Sequence, residues 1–234
     1  MNAPNQSPNW IFGAAAVFWK DFRLELRNKS VLGTLIIFVL STLFIVLFAI
    51  GRRDLSPEIE AGLLWIIVLF TAALGLGRTF LSEQERSTGM FLRLHTQGIM
   101  VYFGKLLFSF LTILCANSIS VIVYLILLNI EVSLTGLFVL TMILGTLGLA
   151  GATTLLAAII SQTARGGPLL PVLLFPLLIP LLLSAVEVTQ ISITVQPSVE
   201  RAWSAATGSL ITMGSFSGVV IAASVLLFDY VWEE

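Results

Sequence analysis

Long apolar runs separated by short polar ones dominate this chain. Six stretches are apolar enough to cross a bilayer: Val31–Ile50, Ala61–Gly77, Leu106–Leu128, Leu134–Ile160, Pro168–Val186 and Leu210–Val231. A helical span needs about 20 mostly apolar residues. Backbone groups in lipid must bond within their own segment, so each stretch is predicted to be a helix. The alternation of a membrane barrel strand is absent. The pattern therefore predicts an all-α integral membrane protein with six transmembrane helices in a single domain, 1–234.

Residues 11–29 follow a different rhythm. On a helical wheel Ile11, Phe12, Ala15, Phe18, Trp19, Phe22 and Leu26 share one face, with Lys20, Arg23 and Arg27 beside it. That is the pattern of an amphipathic helix lying in the membrane interface. A solvated extension of the first span is the alternative.

Composition agrees with the runs. Hydrophobic residues make up 57% of the chain and charged ones 11%, against about 25% charged in soluble domains. Cys115 is the only cysteine, so no intramolecular disulfide can form. The polar N-terminus, MNAPNQSPNW, has no basic region before the first apolar run, and a cleaved signal peptide is not expected. With both termini in the cytoplasm, nine Lys and Arg residues lie inside and three outside. The positive-inside rule favours that orientation.

Charge is concentrated in residues 81–98, LSEQERSTGMFLRLHTQG, which then face the cytoplasm. Ser82 and Glu85 have the S-x-x-E spacing of a helix N-terminal cap. Ser87, Thr88 and Gly89 favour a turn. Beyond them Met90, Phe91 and Leu94 form a short apolar face between Arg86 and Arg93. Such a face suits a groove on a soluble partner, and a loop covering the helix ends is the competing reading. The run from Gly98 to Gly104-Lys105 approaches a phosphate-binding loop, but five residues separate its glycines instead of four and Leu106 follows the lysine. No nucleotide site is expected here, so any use of ATP must come from another subunit.

No catalytic set emerges. His95 is the only histidine, which rules out a paired-histidine heme or metal site within one chain. Glu131, Glu187 and Glu200 fall at the outer ends of spans or in outer loops, so no acid stands at mid-membrane for proton-driven transport. Asn117, near the middle of the third span, is expected to make an interhelical hydrogen bond. Gly145, Gly148 and Gly151 are expected to allow close helix packing. Pro171, Pro176 and Pro180 are expected to interrupt and kink the fifth span.

Two segments resemble a known family. The acidic cluster followed by Gly89, Leu92-Arg93-Leu94 and Phe103-Gly104-Lys105-Leu106-Leu107-Phe108 resembles the coupling segment of ABC-2-type permeases. Arg165-Gly166-Gly167-Pro168-Leu169-Leu170-Pro171, running on to Phe175-Pro176-Leu177-Leu178-Ile179-Pro180, resembles CcmB, the heme-exporter membrane subunit of cytochrome c maturation. The resemblance implies an ABC-2-type permease fold with a cytoplasmic coupling helix, in the bacterial inner membrane. It implies a CcmA-like ATPase, a CcmC-like heme-handling protein and a second copy of the chain as partners, with no nucleic acid. Glu83, Glu85, Gly89, Phe91, Arg93 and Leu94 would then couple to the ATPase. Gly166, Gly167, Pro171, Pro176 and Pro180 would form a structural hinge. The chain would not itself be an enzyme. No covalent cofactor is implied, and heme would be a ligand that is transported or handled. A permease for another substrate, or a scaffold coupling ATP hydrolysis to chaperone release without transport, remains open.

Overall fold

The structure, a computed structural model, describes residues 10–27, 29–51, 55–86, 98–160 and 169–233. These residues form seven helices: α1 (Trp10–Arg27), α2 (Lys29–Ile50), α3 (Pro57–Arg86), α4 (Gly98–Leu128), α5 (Thr135–Ile160), α6 (Leu169–Ile193) and α7 (Val199–Glu233). Four contain stretches long and apolar enough to cross a membrane, namely Ile99–Leu128, Thr135–Leu156, Val172–Ile193 and Val199–Leu227. A shorter apolar stretch, Ile37–Ala49, lies on α2.

Local chemistry explains the helix ends. Ser56 caps α3: its carbonyl accepts from the amides of Ile59 and Glu60 at 2.9 and 3.1 Å. Pro57 occupies the first turn, where a missing N–H costs nothing, and Glu58 and Glu60 complement the positive end of the helix dipole. The Glu58 backbone amide and the Ser56 hydroxyl hold the Glu58 carboxyl below its ordinary pKa, whereas burial raises that of Glu60. At the other kind of end, Asn129 adopts a left-handed φ of 53°. Ile130 then donates to the Leu125 carbonyl at 3.0 Å, a Schellman closure of α4.

From α3 onward the helices alternate in direction, and cross-helix bonds fix their register. The Tyr124 hydroxyl donates to the Glu60 carbonyl at 2.8 Å, joining the end of α4 to the start of α3. Gln190 on α6 donates to Glu58 at 2.7 Å. The Leu134 amide donates to the Ser192 carbonyl at 3.0 Å, tying the approach to α5 to the end of α6. Ser209 on α7 donates to Glu187 on α6 at 2.6 Å.

At the centre stands Trp65, fully buried, its indole N–H donating to Thr189 at 2.8 Å. Its ring lies where a side chain at Gly145 would project. One turn further along α5, a side chain at Gly148 would meet Leu181 and Ser217. The glycine stripe of α5 is therefore a packing device, as expected. Helix α2 sits at the margin, and its face of Ile37, Phe44, Ile45 and Phe48 is exposed, Phe48 at 92%.

Three expectations are corrected. Helix α6 runs unbroken through Pro176 and Pro180 instead of being interrupted. Each proline removes one ladder bond while the turns around it persist, and Pro171 stands in the first turn, where the N–H lacks a helical partner anyway. Ser82 does not begin a helix, because α3 continues through it to Arg86. Asn117 makes no interhelical bond: neither atom of its amide has a hydrogen-bond partner.

Candidate functional site

The candidate site is the end of the bundle where α3 stops and α4 begins. Helix α3 has 30 residues and α4 has 31. At 1.5 Å per residue each is about 45 Å long, against a hydrocarbon core of about 30 Å. Tyr124 and Glu60 hold the other ends of these helices together, so the length beyond a bilayer's thickness falls at this end. Glu83 and Glu85 lie on the last turns of α3, and their side chains fall outside the described set. Gly89, Phe91, Arg93, Leu94 and His95 lie outside the described residues, as do Gly166 and Gly167. Pro176 and Pro180 are exposed on α6, on the same side as Val172, Ile179 and Leu183.

Helix α1 braces the base of α4. A side chain at Gly13 would meet Met100, and one at Gly104 would meet the Ala14 carbonyl oxygen at 2.7 Å and Val17 Cβ at 2.8 Å. The Phe18 and Phe108 rings follow at 6.5 Å between centroids. Numbers rise together in this series, so the two helices run in the same direction. Gly104 is what permits this: only a residue without Cβ allows the α1 backbone so close.

The face of α1 that packs on α4 lies apart from the apolar face read from the wheel. Val17 and Asp21 are buried, whereas Phe12, Ala15 and Trp19 are exposed. Phe18 stacks on Phe22 at 5.8 Å and Trp19 on Phe22 at 5.7 Å, with the Arg23 guanidinium 5.4 Å above the Trp19 ring. Asp21 and Lys105 are both only 6% exposed, and Lys20 pairs with Asp21 at 3.1 Å. Charges this deeply buried persist only when partnered. Lys105 stands in the second turn of α4, beside the glycine that receives α1. The signal was the Gly104-Lys105 pair itself, a small residue and a cation within an apolar run.

Comparison with known proteins decides the family. The CcmB protein family model matches residues 13–226, which takes in α2 to α6 and most of α1 and α7. The chain belongs to the CcmB family. A relative from Bradyrhizobium diazoefficiens, named heme exporter protein B, is 29% identical over 180 residues, covering 75% of this chain and 80% of the relative. Together with the long apolar helices, this makes the chain a multi-pass membrane protein.

Proposed function

We propose that this CcmB-family chain is the membrane permease subunit of an ABC transporter for heme export or heme-chaperone release in c-type cytochrome biogenesis. The match across residues 13–226 carries the reading. In this reading α2 and α3 join the four long apolar helices to give six spans, with both termini in the cytoplasm of a bacterium and the spans in its inner membrane. Helix α1 lies in the interface, turning Phe12 and Trp19 toward lipid. A CcmA-like ATPase hydrolyses ATP and grips residues 81–98, where Phe91 and Leu94 are the apolar anchors and Glu83, Glu85 and Arg93 orient docking. Gly89 supplies the turn ahead of the anchors. Gly166 and Gly167, with the prolines of α6, form the hinge. Two copies of the chain pair with two ATPases, beside a CcmC-like heme-handling protein.

The lengths of α3 and α4 support the docking part, because helices of 30 and 31 residues exceed what a bilayer core needs at the end where they meet. Interface energy concentrates in a few central anchors, so Phe91→Asp should abolish co-purification of the ATPase by pressing a carboxylate into an apolar groove. Retention at the parent level would reduce residues 81–98 to a covering loop. The function itself is tested by reconstituting chain and ATPase in vesicles. ATP-dependent accumulation of heme supports transport. Chaperone release without flux would make the chain a scaffold.

A further inference from the structure

Many of the buried hydroxyls among the described residues bond to their own helix. Ser120, Thr141, Thr153, Ser192, Ser217 and Ser224 each donate to the carbonyl four residues back at 2.6–2.8 Å. Thr71, Thr146 and Thr154 depart from that habit: all are buried, and none of their hydroxyls has a hydrogen-bond partner. Asn117 joins them, 2% exposed with both amide atoms unpaired.

Thr71, Asn117 and Thr146 come from three helices that all pack on one another, α3, α4 and α5, whereas Thr154 lies two turns further along α5. Asn117 stands eleven residues before Leu128, the end of α4, and Thr146 eleven after Thr135, the start of α5. The two helices are antiparallel and joined by a short connection, so both side chains lie at one depth. That depth is about 16 Å from the outer ends, near the middle of a core about 30 Å thick. Tyr124 on the Glu60 carbonyl sets the register of α4 against α3. From that contact Thr71 lies about one helical turn deeper than Asn117.

Polar atoms left unpaired at mid-membrane are costly, because nothing in hydrocarbon bonds to them. At 2% exposure the Asn117 amide is out of reach of lipid, of a soluble partner and of a second copy. Whatever completes it must be small, lie inside the bundle, and both donate and accept. Asparagine offers two donors and an acceptor, and each threonine offers one donor and an acceptor. An internal water needs two to four such partners. We infer that α3, α4 and α5 enclose a water-binding site at mid-depth, held by the Asn117 amide and the Thr146 hydroxyl and closed by Thr71 from the turn beyond.

Radiolytic hydroxyl labelling of the full chain in lipid nanodiscs tests this, because side chains touching ordered water oxidise even when buried. Ile113 and Val121, buried one turn to either side of Asn117, should label in the parent protein. Leu174 and Leu178 on α6, fully buried, serve as inert controls. Labelling at Ile113 and Val121 should fall to the control level in Asn117→Leu and decline in Thr146→Val. If the parent labels no more at Ile113 and Val121 than at the controls, the site is dry and the inference fails. It fails equally if labelling survives in a folded Asn117→Leu. Should that variant not fold, the parent and Thr146→Val still decide the matter.

Discussion

Gly145 and Gly148 on α5 are filled from outside: the Trp65 ring occupies the space beside the first, and Leu181 and Ser217 the space beside the second. Gly208, Gly214 and Gly218 on α7 stand six and four residues apart, and nothing lies within 4 Å of where their side chains would be. Gly208 and Gly218 lie on a face in which the small or polar Ser204, Ala205, Thr212, Ser215 and Ala222 are also exposed, interleaved with Ile211 and Val219. On α4 the exposed side is Leu107, Leu111, Ile119, Ile122 and Ile126. The presence of glycines along an apolar helix therefore does not tell a packed seam from a bare one. What tells them apart is the residue across the gap. A buried tryptophan demands that its neighbour have no side chain, and on α7 no such demand exists.

The strongest way to break the contrast is to fill the α5 seam. In Gly145→Ala the new methyl would fall on the Trp65 ring. The ring cannot swing away without losing its 2.8 Å bond to Thr189. Overpacking of a tight core costs about 1–3 kcal/mol, and this site is at the upper end or beyond. The thermal midpoint in detergent should fall and the monodisperse yield should drop sharply. An unchanged midpoint would mean that Trp65 is not the rigid wedge described above.

Gly104→Ala asks the same question of α1, with a smaller expected loss because one peripheral helix is at stake. The methyl would meet the Ala14 carbonyl oxygen, a backbone atom that cannot rotate out of the way. Helix α1 should loosen by about 1–3 kcal/mol, seen as faster tryptic cleavage at Lys20 and Arg23 with the bundle intact. Parent-like cleavage would show that α1 tolerates a wider approach. Thr189→Val is milder still. It keeps the shape but leaves the Trp65 indole N–H without an acceptor, which costs about 1–3 kcal/mol in the absence of rearrangement. A changed tryptophan emission spectrum should accompany the lower midpoint.

Hydropathy located the apolar spans and the helical stretch before them, because a long apolar run has few other ways to exist. It placed ends poorly wherever a polar residue is satisfied by a distant one. The third span was read from Leu106, yet α4 starts at Gly98, since Gly104 faces α1 and Lys105 is buried. The fifth was read to Val186, yet α6 reaches Ile193 because Ser209 accommodates Glu187. The pairing of Trp65 with Gly145 joins residues far apart in the chain, and no local pattern announces it. The packed face of α1 was missed because Gly13 and Ala14 look like filler until Gly104 is placed against them. Within the coupling segment, only the helical positions of Glu83 and Glu85 fall among the described residues.

The smallest effect is also the one that sharpens the comparison most, because its sign should reverse. Gly218→Ala is the substitution made at Gly145, but with open space in place of a tryptophan. No contact is strained by the new methyl. A glycine inside a helix costs about 0.8–1.0 kcal/mol relative to alanine, mainly through the freedom it retains in the unfolded chain. Alanine should therefore raise the thermal midpoint of the purified chain slightly, and Gly208→Ala should do the same. The gains should add, since the two positions are ten residues apart and share no neighbour. A fall in midpoint for either variant would mean that the α7 face is packed in the purified chain, and the contrast with α5 would then collapse into two seams of one kind.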